Sequence, residues 1–420
     1  MVNVTEILPG VFLRCYRDGR FKQSCLSLQL IRPMCREEAA LNALLPAVLL
    51  RGTEKTPDMR AITLRLDDLY GASVGTMVRR VGDYQTTGLY SGFIQDGYTL
   101  EGESVLESVL RFLGELMLEP RLESGVFCRD FVESEKVNLI STIESQRNDK
   151  RTYCVNQMMK RMCGADSFGI PRLGEKEHVA AITPENLYAH YRRILRESRI
   201  ELFYVGAADT EQVAACLGQI FGRIERVYAP LPEQTPFRDG GGSETVEKLQ
   251  IAQGKLAMGF VTPIRLGDPR FPAMQVCNML FGGGMTSKLF MNVRERRSLC
   301  YDIGSGYHGS KGIVSVSAGI DCDKDTLVRQ EILNQLAACA HGQITEQELE
   351  AAKHAVVNSL RGVHDSPGAI EGFYAVSALN GLGMTPAEYI RAVEQVTAEQ
   401  VAEAAGTLIM HTVYFLKGVQ

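Results

Sequence analysis

Apolar and polar residues alternate along Cys25-Leu26-Ser27-Leu28-Gln29-Leu30-Ile31, the period of a strand with one face in a core. The run stops at Pro33. An apolar stretch from Ala39 to Leu50 follows, predicted to be a helix and closed by Gly52. The same succession returns in the second half, where Lys255-Leu256-Ala257-Met258-Gly259-Phe260-Val261 ends at Pro263 and the apolar run Ala273 to Phe281 is closed by Gly282. The step from Pro33 to Pro263 equals the step from Gly52 to Gly282. Further on, at a slightly shorter step, Glu135-Lys136 on one long helical stretch matches Ala352-Lys353 on another. Ile182-Thr183-Pro184-Glu185-Asn186-Leu187 matches Val396-Thr397-Ala398-Glu399-Gln400-Val401 at nearly that same step, each a capping signature before an apolar run. Such self-similarity describes a tandem duplication.

Short alternating stretches at Ser73 to Val81, Gln85 to Phe93 and Gly312 to Gly319 add strands that follow a helix and precede longer helices. That order predicts an α+β fold of two homologous domains, each a mostly antiparallel sheet with helices packed on one face. Pro230, Pro232 and Pro236, then Asp239-Gly240-Gly241-Gly242-Ser243-Glu244, resist regular structure between the halves. The expected organisation is an N-terminal domain over 1–225, a Pro/Gly-rich linker over 226–250 and a homologous domain over 251–420.

Composition narrows the function. The chain has 420 residues, too many for one core when domains average roughly 150 residues. With 45% hydrophobic and 23% charged residues it is neither disordered nor fibrous. A net charge of −5 gives no concentrated basic face for phosphates, so nucleic acid is not an expected partner. No P-loop or dinucleotide glycine turn follows a strand. No apolar run approaches the ~18 residues that a membrane span needs. The apolar stretch Ile7 to Leu13 is broken by Pro9 and Gly10 and followed by Arg14 and Arg17, unlike a secretion signal. Eleven cysteines, an odd number with no C-x-x-C pair, read as reduced thiols of a cytoplasmic chain.

Several stretches then carry a resemblance. They are Leu50-Arg51-Gly52-Thr53, Gly169-Ile170-Pro171-Arg172-Leu173-Gly174, the run from Phe281 through Gly282-Gly283-Gly284 to Phe290, and Val293-Arg294-Glu295-Arg296-Arg297-Ser298-Leu299-Cys300-Tyr301. In this order and spacing the chain resembles the pitrilysin/insulinase peptidases over nearly its whole length. Active members of that family bind zinc through an inverted H-x-x-E-H motif. Counted back from Gly52-Thr53, the motif's three positions hold Ala43, Pro46 and Ala47, and the remaining zinc glutamate, counted from Glu135, falls on Thr142. None of these binds zinc. No two of the seven histidines lie three or four residues apart, and His354 and His364, with Asp365 beside the latter, are expected to be solvated or locally bonded. No zinc and no other cofactor is expected in this chain.

The resemblance implies that Arg294 and Tyr301 are retained substrate-binding residues, an always-charged guanidinium and a phenolic donor suited to a peptide carbonyl or an oxyanion. Gly282-Gly283-Gly284 reads equally as a helix stop, through glycine's left-handed freedom, or as a loop that lets substrate pass. Glu135 is expected to be a solvated carboxylate, and Arg296 and Arg297 an exposed helix face. Edges near Ser73 to Val81 and Gly304 to Ser310 are candidates for capturing a peptide as an added strand. The function implied is a non-catalytic, substrate-binding partner of a homologous zinc-bearing peptidase subunit. The alternative is an inactive peptide-binding or scaffold protein.

Overall fold

The computed structural model describes residues 2–100 and 102–419. They form two compact units. In the first, β1 (Val2–Leu8), β2 (Val11–Arg17), β3 (Gln23–Pro33), β4 (Ser73–Val81), β5 (Tyr84–Ile94) and β6 (Arg199–Gly206) make one sheet in the order β1-β2-β6-β3-β5-β4. Every neighbouring pair is antiparallel except β2 with β6. In the second, β7 (Ser243–Leu249), β8 (Gly254–Val261), β9 (Cys300–His308), β10 (Ile313–Ile320) and β11 (Ile409–Gly418) run β9-β10-β8-β11-β7, with only β11 and β7 parallel.

With β1 set aside, the two orders are the same, and the duplication read from the sequence is present in the topology. Leu28 of β3 sits between Leu89 and Leu202. Met258 of β8, which follows Leu28 by the same step as Pro263 follows Pro33, sits between Val316 and Val413. Helix Arg129–Ser145 precedes Glu346–Arg361 by the same step as Lys150–Met162 precedes Pro367–Asn380. Helices Pro184–Glu197 and Ala398–Gly406 are matched as well, and each opens on a complete capping box.

The period-two pattern decides which face each strand residue serves. Leu26, Leu28 and Leu30 of β3 are buried in the main core with Leu44, Leu45 and Val48 of helix Arg36–Leu49 and Leu110 and Leu113 of helix Val105–Leu118. Each buried leucine contributes about 1.5–3 kcal/mol. The intervening Cys25, Ser27 and Gln29 face the other way, toward Ile370 and Glu371 of helix Pro367–Asn380. In the second unit Ala257 of β8 packs with Cys154, Met158 and Met162 of helix Lys150–Met162. Gly259 gives that helix room, since a Cβ there would lie 2.5 Å from the Met162 sulfur.

Contiguous domain boundaries therefore do not describe the units. Residues Glu144–Gly169 belong to the second unit and His364–Val376 to the first, so each sheet has its second face covered by a segment from the other half of the sequence. The expected linker is also shorter at its C-terminal side. The chain is irregular over 225–242, but Ser243–Leu249 is β7, because alternation resumes once the glycines end.

Candidate functional site

Ala43, Pro46, Ala47 and Thr142, the positions to which the resemblance assigns missing metal ligands, all lie in the first unit. Ala43 and Pro46 are buried on helix Arg36–Leu49 and Ala47 is half-buried. Pro46 has no N–H to give the carbonyl of Asn42 four residues earlier. The Thr87 hydroxyl on β5 donates to that carbonyl instead, at 2.5 Å. Asn42 itself is a hub. Its Nδ2 donates to Gln85 Oε1 at 2.9 Å, and its Oδ1 lies 2.7 Å from His190 Nε2. The Arg193 guanidinium, which only donates, points at His190 Nδ1 from 3.0 Å. His190 is thus neutral, with its proton on Nε2 and donated to Asn42, and burial holds its pKa down at about 4. A network of amides and one neutral imidazole packs against helix Arg36–Leu49.

Thr142 is exposed on helix Arg129–Ser145, its hydroxyl bonded back to the Asn138 carbonyl at 2.9 Å. Glu135 is not the solvated carboxylate the sequence suggested. Its side chain is 12% exposed and pairs with Arg51 at 3.2 Å, which ties the turn after helix Arg36–Leu49 to helix Arg129–Ser145. Among the described residues, no three or more His, Cys, Asp or Glu side chains converge as metal ligands. His354 lines a small pocket with Glu350, Lys353 and Arg361, whereas His364 stands in a short 3₁₀ turn beside the Tyr16 ring. The residues present do not fit a catalytic zinc.

Arg294 and Tyr301 lie in the second unit and line one pocket of about 420 Å³ with Ser298, Asp321 and Lys324. The helix that carries Arg294, Leu289–Arg296, is a π-helix, a rare form that occurs frequently at functional sites. It stops where Ser298 takes a left-handed φ of 50° and its amide bonds back to the Arg294 carbonyl at 3.0 Å. The chain then enters β9 through a bulge. Cys300 pairs with Ile320 and Asp302 with Gly319, leaving Tyr301 as the extra residue, which re-aims its side chain outward. Arg294 Nε donates to the Tyr301 carbonyl at 2.9 Å, and its guanidinium stacks over Phe290 at 4.6 Å. The Tyr301 hydroxyl donates to Asp321 at 2.7 Å, which raises the pKa of the phenol and keeps it protonated. The pair is open to solvent, Tyr301 at 51% and the Arg294 side chain at 39%. Arg297 is exposed, its side chain 52% accessible, and it also pairs with Glu331, whose side chain is only 8% exposed.

The glycine run is no left-handed helix stop. None of Gly282, Gly283 and Gly284 has a positive φ, and the first two belong to a second π-helical segment, Met279–Gly283. Glycine is required there for close approach, since a Cβ on Gly282 would lie 2.7 Å from Ser305 Oγ of β9. The run lines a groove of about 550 Å³ with Gly304, Ser305 and Gly306 of β9 and with Arg151 and Asn156 of helix Lys150–Met162. β4 and β9, the strands proposed for peptide capture, are both sheet edges. Nothing in the sequence points to Arg151 here, because its helix precedes the irregular stretch yet serves the second sheet.

This two-unit architecture has counterparts among known proteins. Residues 181–356 match the family described as "Peptidase M16 inactive domain". Over 411 residues the chain is 29% identical to the "Probable inactive metalloprotease YmfF" of Bacillus subtilis strain 168, covering 98% of this chain and 96% of that protein. A conserved protein from Enterococcus faecalis V583 superposes with a TM-score of 0.92 at 28% identity, over 100% of this chain and 99% of that one. The M16 inactive domain from Pseudomonas fluorescens shares the fold, with a TM-score of 0.82 at 18% identity over 100% and 98%. By these likenesses the chain is similar to inactive-type M16 peptidases, and the solved structures share its fold.

Proposed function

We infer that this chain is the non-catalytic, substrate-binding subunit of a heterodimeric zinc metallopeptidase, acting in the cytoplasm, with zinc supplied by a homologous subunit bearing H-x-x-E-H. The observation that carries this reading is the contrast within one chain: the metal positions are absorbed into packing, while Arg294 and Tyr301 remain solvent-accessible in a common pocket. A guanidinium and a protonated phenol side by side suit a peptide carbonyl whose oxygen gains negative charge. The glycine run beside an edge strand suits an extended peptide. The alternative, a peptide-binding scaffold with no part in hydrolysis, is favoured by one observation, that both polar groups already have partners within the chain, in the Tyr301 carbonyl and Asp321.

Peptide cleavage by a purified H-x-x-E-H homologue, preferably one encoded beside this chain, separates the two. The expected result is cleavage that requires both chains and falls roughly 100-fold with Arg294→Ala and roughly tenfold with Tyr301→Phe, the scale of losing transition-state donors. Cleavage dependent on this chain but indifferent to both substitutions would leave the scaffold reading in place.

A further inference from the structure

Among the described residues, Arg151 is the one charged side chain lining the 550 Å³ groove beside β9. Its side chain is 51% exposed, and its Nε donates to Ser317 Oγ at 3.0 Å, which fixes the direction of the guanidinium. Its nearest carboxylate does not neutralise it. Asp302 Oδ1 is 3.8 Å away, beyond hydrogen-bond reach, and the same carboxylate faces Lys255 at 3.5 Å. Two cations share one acid, and the better exposed of them is Arg151, the Lys255 side chain being 16% exposed. The groove is lined in part by small residues, Gly304, Ser305, Gly306 and Ser315, with Met285, Phe290 and Ile303 as its bulkier side chains. β9 has a strand neighbour on one side only, so it is an edge of its sheet.

We propose that an extended peptide pairs along β9 in this groove and that Arg151 reads an acidic side chain on it, which makes the chain selective for peptides carrying Asp or Glu. This rests on the peptide-binding reading above and names its substrate class. Guanidinium and carboxylate match in geometry as well as charge. Because successive residues of a strand face opposite sides, only alternate positions of the peptide meet Arg151. Selectivity therefore belongs to one register: an acid moved by a single residue turns away from the groove.

The test uses the full chain alone, without a peptidase partner. Fluorescein-labelled neutral peptides carrying one Glu at successive positions, and their Gln counterparts, are titrated at low salt and followed by fluorescence anisotropy. A Glu at the preferred position is expected to bind roughly tenfold tighter than Gln, the scale of one charge-assisted hydrogen bond, with Glu one residue along no better than Gln. Arg151→Lys should keep most of that preference, Arg151→Gln abolish it and Arg151→Glu transfer it to a Lys-bearing peptide, with circular dichroism unchanged. Equal binding of Glu and Gln peptides, or a preference that survives in Arg151→Gln, overturns the role of Arg151 while leaving peptide binding intact. No binding of any peptide overturns both this proposal and the peptide-binding reading. Neither result depends on cleavage, which Arg294 and Tyr301 test separately.

Discussion

The two units share one topology and have diverged in opposite directions. In the first, the helix to which the resemblance assigns missing metal ligands is packed: Ala43 and Pro46 are buried, Thr87 donates where Pro46 has no backbone N–H, and Glu135 is the partner of Arg51. In the second, a pocket of about 420 Å³ and a groove of about 550 Å³ stay open, and the helical segments that bound them depart from α-geometry. A buried position that loses its ligand leaves unsatisfied groups, and those cost stability until something answers them. An exposed ligand-facing residue imposes no such pressure.

The units also differ in how each secures the segment it receives from the other half of the sequence. Glu371, fully buried in the first unit, accepts bonds from Ser27, Gln29 and Arg79. Asp166 in the second unit pairs at 3.0 Å with Lys311, the two side chains 1% and 0% exposed. When one partner of a buried pair is removed, the other is stranded, at a cost of about 3–5 kcal/mol. Asp166→Ala is therefore expected to lose about 3–5 kcal/mol in urea unfolding. Glu371→Ala should lose less, about 2–3 kcal/mol, because the Arg79 side chain is 34% exposed and can turn to water. Adding Lys311→Met to Asp166→Ala should recover much of the loss. A greater loss for Glu371→Ala would mean that exposure does not set the difference.

A pH dependence should mark the first unit. Folding holds His190 at a pKa near 4 against about 6.5 when unfolded, so between these values the unfolded chain binds a proton that the folded chain refuses. Stability from this group is complete above pH 6.5 and is lost as pH falls toward 4, by about 3 kcal/mol in total. Imidazole NMR shifts give the folded pKa directly, and a value above 6 would contradict the neutral tautomer held between Arg193 and Asn42. His190→Gln should flatten the slope between pH 6.5 and 4.

Much of this is readable in the sequence, because duplication leaves matched punctuation: Pro33 with Pro263, Gly52 with Gly282, and two capping threonines, Thr183 and Thr397. What lies beyond reach depends on distant neighbours. That helix Lys150–Met162 serves the second sheet follows from the surface it packs on, not from its own pattern, and so nothing in that pattern marks Arg151. Glu135 reads as solvated because its partner Arg51 lies far off in sequence. The glycine run suggests special backbone angles, when its cause is the nearness of Ser305.

The smallest effect probes the sealed metal helix most directly. If Thr87 is held in its role by Pro46 alone, the two residues should be energetically coupled. Thr87→Val keeps the shape of the side chain but leaves the buried Asn42 carbonyl without its hydroxyl donor, at a cost of about 1–2 kcal/mol. Pro46→Ala restores a backbone N–H able to reach that same carbonyl, so in its background Thr87→Val should cost under about 0.5 kcal/mol. The difference is read as a coupling energy from a double-mutant cycle in urea. An equal cost in both backgrounds would show that Thr87 acts independently of the proline, and the view that the first unit was repaired around its lost glutamate would lose its best evidence.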